Sequence, residues 1–349
     1  MSPQVTAAVI AAIVSGITLI VTSVAQWLSR RGTRRDLKAQ REQLDRTLAE
    51  QRTRTLNERF ATAAGQLGDD KPSAVRLAGV YAMAGLADDW PENRQTCVNV
   101  LCAYLRLPYE PDPGKGADAS KHLDFRASRE VRHAVIRVIT EHLRDDSNRS
   151  WQGLNLDFTG VAFDGGDFRF AQFTGGMVNF NGATFSGDIV DFSGATFSGD
   201  IVDFSGATFS GELSFTLAMF CGGEVRFTRA KLFGGQVNFN GATFSGAEVS
   251  FPGAEFSTGL VIFSGAKFTG GEVNFYTATF SGAVVDFTDP AEWKVPPLFL
   301  WTGTPPPGVK LPGMPADPPA RVSPADRPVS GVPVDGPTDV LPGPRIEPE

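Results

Sequence analysis

Histidine and cysteine are the side chains best suited to metal binding or nucleophilic chemistry, and this chain has three of each. Cys97 and Cys102 stand five residues apart on a predicted helix, which is not a metal-ligand spacing. His133 and His142 stand nine apart, so they point in different directions from a helix. An odd number of cysteines favours free thiols in a reducing compartment over a disulfide framework. We therefore expect structural roles for all six residues, the other two being His122 and Cys221.

No other constellation in the sequence predicts catalysis or ligand binding. It contains no Walker loop, no dinucleotide-binding fingerprint and no zinc spacing. The pairs Gly222-Gly223 and Gly234-Gly235 lack the aspartate of calcium-binding nonapeptide repeats. The sequence therefore predicts a non-enzymatic protein without catalytic, cofactor-binding or metal-binding residues and without a small-molecule substrate.

The composition changes sharply along the chain and marks its segments. The formal net charge is −7, but residues 30–65 carry an excess of +5 and residues 151–289 a balance of −9. Of the 24 prolines, 17 follow Thr288. These shifts predict six segments: an N-terminal anchor (1–29), a basic helix (30–65), an α-helical module (66–150), a repeat domain (151–289), a C-terminal cap (290–303) and a proline-rich tail (304–349).

The first segment reads as a transmembrane helix. Val5–Leu28 contains no ionisable side chain, and about 20 such residues cross a hydrocarbon core of about 30 Å. Because basic residues follow the span and none precedes it, the positive-inside rule predicts a single-pass protein with its C-terminal bulk in the cytoplasm. The alternative is a cleaved signal peptide ending near Ala25. The residues expected to flank the membrane are Trp27, Arg30, Arg31, Arg34 and Arg35.

Helical patterns fill the next 120 residues. A stripe of Leu37, Leu44, Leu48, Leu56 and Phe60 predicts either an amphipathic helix that packs on its own domain or a coiled coil in a homodimer. Further on, apolar spacing predicts helices over 74–87, 94–107 and 128–143, with a loop over 107–123 that carries proline and glycine.

From Trp151 to Asp289 the chain repeats in units of five residues. Each unit has a small or branched residue, a variable residue, a phenylalanine (Leu at 232), usually Ser or Thr, and usually Gly. There are 23 units from Phe158 to Phe287, each centred on its phenylalanine or on Leu232. From Phe173 onward, the number of residues from one central residue to the next alternates between five and seven, with one step of six. Residues two apart on an extended segment face the same side, so the phenylalanine and the small residue point inward. The predicted structural core includes Phe158, Phe163, Phe168, Phe173, Phe180, Phe185, Phe192, Phe197, Phe204, Phe209, Phe239, Phe244, Phe263, Phe268, Phe275 and Phe280.

This motif resembles the pentapeptide-repeat family, and in particular its bacterial membrane-anchored members. The segment R-F-A-T-A-A-G-Q-L-G, beginning at Arg59, is similar to the one that links a membrane helix to the repeats in many such proteins. The resemblance implies an all-β, right-handed, four-sided β-helix. With four units a coil, just under six coils would stack over a length of roughly 27 Å. Trp293, Leu298, Phe299 and Trp301 are expected to cover the last coil, and residues 304–349 are expected to be a disordered tail.

These features predict a membrane-tethered scaffold whose β-helix binds an unidentified protein partner in the cytoplasm. Some pentapeptide-repeat proteins mimic duplex DNA and bind DNA gyrase, which provides the alternative of an acidic DNA mimic. The outward residues Asp191, Asp203 and Asp286 would then carry the negative charge. Direct nucleic-acid binding is not expected of a segment with a balance of −9.

Overall fold

A computed structural model describes residues 3–68, 70–110, 112–144, 149–301 and 303–313. The side chains of residues 3–10, 28–37 and 39 fall outside this description. The described part consists of an α-helical N-terminal region followed by a β-solenoid of about six turns.

Four α-helices form the N-terminal region: α1 (Pro3–Gln66), α2 (Ser73–Asp89), α3 (Arg94–Arg106) and α4 (Ala119–Leu143). A 3-10 turn, Pro91–Asn93, leads into α3. The predicted anchor and basic helix form one continuous helix, because no proline or helix-breaking turn separates them. α4 begins nine residues earlier than predicted. The segment after Gly116 contains neither glycine nor proline, so helix formation continues back to Ala119.

The amphipathic stripe of α1 has two different surroundings. Leu56 is buried and Phe60 packs against the core of the helical region, as expected for a helix that packs on its own domain. Leu44 and Leu48 are 57% and 53% exposed. The coiled-coil alternative therefore concerns only the part of α1 before Leu56.

Among the described residues, no helix combines the length and the apolarity needed to cross a membrane. The transmembrane helix expected at Val5–Leu28 is therefore unsupported. Trp27 is half exposed on α1. The other four predicted flanking residues lie on α1, but their side chains fall outside the described part of the chain.

The solenoid is built from parallel strands that stack in four columns, here called stacks 1 to 4. Stack 1 contains Leu156–Asp157, Met177–Asn179, Ile201–Asp203, Glu224–Arg226, Glu248–Ser250 and Glu272–Asn274. Stack 4 contains Gln172–Phe173, Thr196–Phe197, Met219–Phe220, Thr243–Phe244, Lys267–Phe268 and Glu292–Trp293.

Stacks 2 and 3 share two strands, Lys231–Asn238 and Glu255–Ile262, that run around the corner between them. The other strands of stack 2 are Ala162–Phe163, Thr184–Phe185, Thr208–Phe209 and Thr279–Phe280. The other strands of stack 3 are Gly166–Asp167, Val190–Asp191, Glu212–Ser214, Val284–Asp286 and Val309–Lys310.

The strand register confirms that four repeat units make one coil. Phe163 pairs with Phe185, Phe185 with Phe209, and Phe209 with Leu232, so these coils take 22 to 24 residues each. Within the solenoid the phenylalanines form regular columns. In stack 1, successive ring centroids from Phe158 to Phe275 lie 4.4 to 5.0 Å apart, close to the spacing of about 4.8 Å between paired strands.

Fifteen of the sixteen predicted core phenylalanines are at most 2% exposed, and Phe280, in the last complete coil, is partly buried. A fully buried phenylalanine contributes about 2 kcal/mol of hydrophobic free energy, so these columns supply the main stabilisation of the solenoid.

Aromatic side chains continue the columns beyond the repeats. Trp293 packs on Phe268 at 5.0 Å, and Phe299 packs on Phe275 at 5.2 Å. Trp301 lies 5.5 Å from Phe280. The predicted start of the disordered tail at residue 304 is too early. Val309 is buried, and its strand pairs with Val285 and Asp286. Residues 314–349 of the predicted tail lie outside the described residues.

Candidate functional site: the outward surface of stack 1

Parallel in-register pairing places equivalent side chains of successive coils in straight rows on the outside of the solenoid. In stack 1, Val178, Val202 and Val225 point inward and are buried, while the residues on either side of each valine point outward. A row of outward side chains repeats at the strand spacing of about 4.8 Å. Stack 1 therefore offers a flat surface on which the chemistry of each row depends on sequence alone.

The aspartates expected to be free surface charges hold the corners of the coil. Asp191, Asp203 and Asp286 each accept, at Oδ1, a hydrogen bond from the backbone N–H two residues later, at 2.8 to 2.9 Å. Asn179 and Asn238 do the same at the equivalent position. These side chains form Asx turns, which asparagine and aspartate favour because their short side chains reach that N–H. Their recurrence follows from the geometry of the corner.

The residue that follows each such turn lies in the left-handed region of backbone conformation. At the corners after stacks 1 and 3, φ at eleven equivalent positions lies between +54° and +67°. Glycine occupies seven of them, because it adopts this conformation without a steric penalty. The other four positions are Phe170, Leu217, Arg229 and Thr277. These corners correspond to the five-residue steps of the sequence.

One edge of stack 1 carries a row of glutamates, here called the acidic ridge: Glu224, Glu248 and Glu272. The three pair in register across three successive coils. Glu224 is in an ion pair with Arg226, and Glu272 accepts a hydrogen bond from Asn274 at 2.9 Å. Like charges directly opposite each other on neighbouring strands destabilise a sheet. Fold stability therefore does not explain the acidic ridge.

Apolar side chains lie toward the other edge of stack 1, on its last coils. Tyr276 is 42% exposed, Leu298 is 38% exposed and Leu300 is 68% exposed. Leu298 forms a parallel β-bridge with Asn274 of the preceding coil. Phe299 stacks on Phe275, so Leu300 and Tyr276, the residues that follow them, occupy equivalent positions. Stack 1 thus combines an acidic edge with an apolar end, whereas the same row in its earlier coils carries Met177 and Ile201.

A network of charged groups joins the helical region to the first coil of the solenoid. Asp164 accepts hydrogen bonds from Tyr109 Oη at 2.6 Å and Arg129 Nε at 2.9 Å, and His133 Nε2 lies 3.1 Å away. Burial opposes ionisation of Asp164, but the bonds from His133 and Tyr109 and the charge of Arg129 outweigh it and lower its pKa to about 2. This network fixes the orientation of the first coil.

The residues first considered for metal binding or nucleophilic chemistry have structural surroundings. His142 stacks on Trp151 at 4.1 Å and lies 3.2 Å from Asp88. Burial raises the pKa of Cys97 to about 11 and that of Cys102 to about 12, which keeps both thiols protonated and unreactive. Cys221 is exposed and His122 is 3.9 Å from Asp112. Within the described part of the chain, no group of three or more His, Cys, Asp or Glu side chains is arranged to hold a metal ion.

Comparison of the chain with protein-family models, with curated proteins and with solved structures finds no match. The observed architecture, a parallel β-solenoid of about six turns with phenylalanines stacked at regular five- and seven-residue steps, is consistent with the pentapeptide-repeat fold that the sequence resembles.

Proposed function

We propose that this chain is a non-enzymatic interaction module in which the outward surface of stack 1 binds a protein partner. The observation that carries the proposal is the presence on one stack of the acidic ridge and of the exposed apolar side chains Tyr276, Leu298 and Leu300. Fold stability does not explain this row of like charges, and exposed apolar patches rimmed by charged residues are typical of protein-binding surfaces. A partner with basic and apolar side chains complements such a surface.

Charge reversal on the acidic ridge tests this proposal. The double variant Glu248→Lys/Glu272→Lys changes two exposed side chains on the outside of the solenoid. The matched control is Glu255→Lys, an equally exposed glutamate on stack 2. Affinity purification with the full chain, quantified by mass spectrometry, should recover a partner with the wild type and the control and lose it with the double variant. Equal recovery by all three proteins would contradict a role for stack 1.

The second element of the proposal is a membrane tether at the N-terminus of α1. Its support is the absence of ionisable side chains from Val5–Leu28 together with large apolar side chains that are 49% to 68% exposed. At 3.6 residues per turn these residues cover about 220° of the helix circumference. On the remaining side Thr18 and Thr22 donate their hydroxyl hydrogens to carbonyl oxygens of the same helix, so an uncharged surface of this kind favours an apolar environment. The exposed residues are Ile13, Val14, Ile17, Leu19, Ile20, Val21, Val24 and Trp27.

Membrane association is tested by fractionation after carbonate extraction. The variant Ile17→Arg/Ile20→Arg should move the protein to the supernatant, whereas Leu44→Arg/Leu48→Arg, on the polar part of α1, should leave it with the membranes. The proposed cytoplasmic location predicts that a C-terminal epitope tag in intact spheroplasts resists protease until lysis. Wild-type protein in the supernatant would exclude the tether, and cleavage of the tag in intact spheroplasts would exclude the cytoplasmic location.

The gyrase-binding alternative loses part of the support that the recurring outward aspartates gave it. Asp191, Asp203 and Asp286 are needed at their corners whether or not their charge has a partner. Inhibition of gyrase supercoiling by the purified chain is the assay that would support the alternative.

A further inference from the structure

A cavity of about 320 Å³ lies in the helical region, away from the outward surface of stack 1. It is lined by α2, the end of α3, the segment that follows α3, and the first half of α4, and it opens to the surface. Its volume falls at the lower end of the range of about 300–1,000 Å³ found for small-molecule sites. The side chains that matter for its chemistry are Arg76, Tyr104, Tyr109, Lys121, Phe125 and Arg132.

Three cationic side chains line this cavity, and the deepest of them has only neutral hydrogen-bond acceptors. Arg132 is 5% exposed, and its two terminal nitrogens each donate a hydrogen bond of 2.8 Å, to the carbonyl oxygens of Leu105 and Ala162. Among the described residues, no carboxylate forms an ion pair with it. The nearby Asp164 carboxylate attracts this buried cation without bonding to it and offsets part of the cost of burial. The floor of the cavity is therefore a cation that an anion in the cavity would stabilise further.

Aromatic rings form one wall of the cavity. The guanidinium carbon of Arg132 lies 4.3 Å from the centroid of the Tyr109 ring, and the Phe125 ring lies 6.0 Å from Tyr109. The hydroxyl of Tyr109 donates to Asp164, so this ring is held in place before any ligand binds. A flat, preorganised wall next to a positive floor suits a small organic acid.

The outer part of the cavity supplies cations that can reach a ligand. Arg76 donates a hydrogen bond of 3.2 Å to Tyr104 Oη, which places its guanidinium at the cavity wall. Lys121 is an exposed lining residue near the start of α4. Two carboxylates, Glu110 and Asp124, also line the cavity, and both are exposed. Cations therefore outnumber anions, and the buried charge is positive.

We propose that this cavity binds a small molecule that carries an oxyanion group, either a phosphate or a carboxylate. Lys121 and Arg76 contact the oxyanion, Arg132 supplies the positive floor, and the Tyr109 ring packs against the body of the ligand. Because Tyr109 and Arg132 also bond to the first coil of the solenoid, at Asp164 and Ala162, an occupied cavity strengthens the junction between helices and solenoid. This binding site does not depend on the partner proposed for stack 1.

Isothermal titration of the purified full chain tests the proposal, with inorganic phosphate and benzoate as separate probes and sodium chloride at equal ionic strength as the reference. Lys121→Gln removes one charge at the cavity, and Lys115→Gln removes one from an exposed position in the preceding loop that does not line it. We expect saturable binding of at least one probe, weakened roughly tenfold or more by Lys121→Gln, as for loss of a charge-assisted hydrogen bond. Lys115→Gln should change the affinity less than twofold.

The two probes distinguish the chemical source of the oxyanion. Tighter binding of phosphate identifies a phosphate-bearing ligand, and tighter binding of benzoate identifies an aromatic carboxylate. The proposal is overturned if neither probe binds saturably, or if Lys115→Gln weakens binding as much as Lys121→Gln does. Circular dichroism of both variants, which alter exposed side chains, establishes that they are folded.

Discussion

Replacing Arg229 by glycine should stabilise the solenoid, whereas replacing Gly182 by alanine should destabilise it. Both residues occupy the same position at the corner after stack 1, with φ of +54° and +65°. This left-handed conformation costs an L-residue roughly 1–2 kcal/mol, and it costs glycine nothing. No heavy atom lies within 4 Å of a Cβ placed on Gly182, so the penalty there comes from the backbone conformation alone.

The unfolded chain reduces both effects. Glycine gives the unfolded state about 0.4–1 kcal/mol more conformational freedom than alanine, which opposes the gain from Arg229→Gly and the loss from Gly182→Ala. The net change is therefore about 0.5–1 kcal/mol in each direction. For a domain of about 150–250 residues, 1 kcal/mol shifts Tm by roughly 2–4 °C, so shifts of about 1–4 °C with opposite signs are expected.

Thermal unfolding followed by circular dichroism at the β-sheet signal measures these shifts. Arg229→Ala is the control, because alanine keeps the strained conformation while removing the charged side chain. It should not stabilise the protein. The reasoning is refuted if Arg229→Ala stabilises as much as Arg229→Gly, or if Arg229→Gly and Gly182→Ala shift Tm in the same direction.

Three further outcomes are expected. Asp203→Ala should lower the free energy of unfolding by about 1 kcal/mol because it removes the acceptor of a corner hydrogen bond. Asp203→Asn keeps an acceptor and should retain most of that stability in guanidinium titrations. Equal losses in the two variants would exclude the Asx-turn role. Because the pKa of Asp164 is lowered from 3.8 to about 2 by folding, its ionised form stabilises the protein above about pH 4. That contribution, roughly 2 kcal/mol, should be lost as the pH falls from about 4 to about 2, and acid unfolding of Asp164→Asn should lack this dependence. At pH 8, iodoacetamide should label Cys221 well before Cys97 and Cys102, as measured by peptide mass spectrometry. The reason is that burial raises the pKa of Cys97 to about 11 and that of Cys102 to about 12. Equal labelling of the three thiols would show that the helical region opens readily.

The solenoid could be predicted from sequence because the spacing of its core residues is compatible with only one kind of structure. A phenylalanine every five or seven residues, with a small residue two before it, places both on the same face of an extended segment. Four such units return the chain to the same side, and the pairing of Phe163 with Phe185 follows. Burial of a large aromatic side chain is strongly favourable, so few alternative structures compete with this pattern.

The roles of the surface residues could not be read in the same way. Asp203 could be a solvated surface charge or the acceptor of an Asx turn, and both roles require it to face outward. Its position one residue before Phe204 therefore does not distinguish the two roles. The distinguishing signal is the alternation of unit types: V-D-F or V-N-F precedes the five-residue step, and A-T-F precedes the seven-residue step. Asparagine replaces aspartate in this pattern at Asn179 and Asn238, which indicates that the hydrogen bond, and not the charge, recurs.

Helix boundaries depended on weaker signals. The start of α4 at Ala119 was obscured by the prolines and glycines just before it, whose influence ends at Gly116. The cavity in the helical region was also invisible in the sequence. Arg76 and Arg132 are 56 residues apart, and only the packing of α2 against α4 brings them to one cavity.

The corners of the coil and the row that contains the acidic ridge differ in how strongly the fold restricts the residue. At the five-residue corners, the left-handed conformation and the Asx turn restrict the residue choice. At the seven-residue corners before stack 1, Gly176, Gly223 and Gly271 have φ between +67° and +72°, and a Cβ on any of them would clash with a backbone carbonyl oxygen of the neighbouring coil. Asp200 and Ala247 occupy the equivalent position outside the positive-φ region. Each strand of the acidic ridge begins immediately after such a corner. The row that contains the acidic ridge begins with Met177 and Ile201, so the fold does not require a carboxylate at this position. A row of like charges there has no cause in the fold, and the partner proposed for stack 1 would provide one.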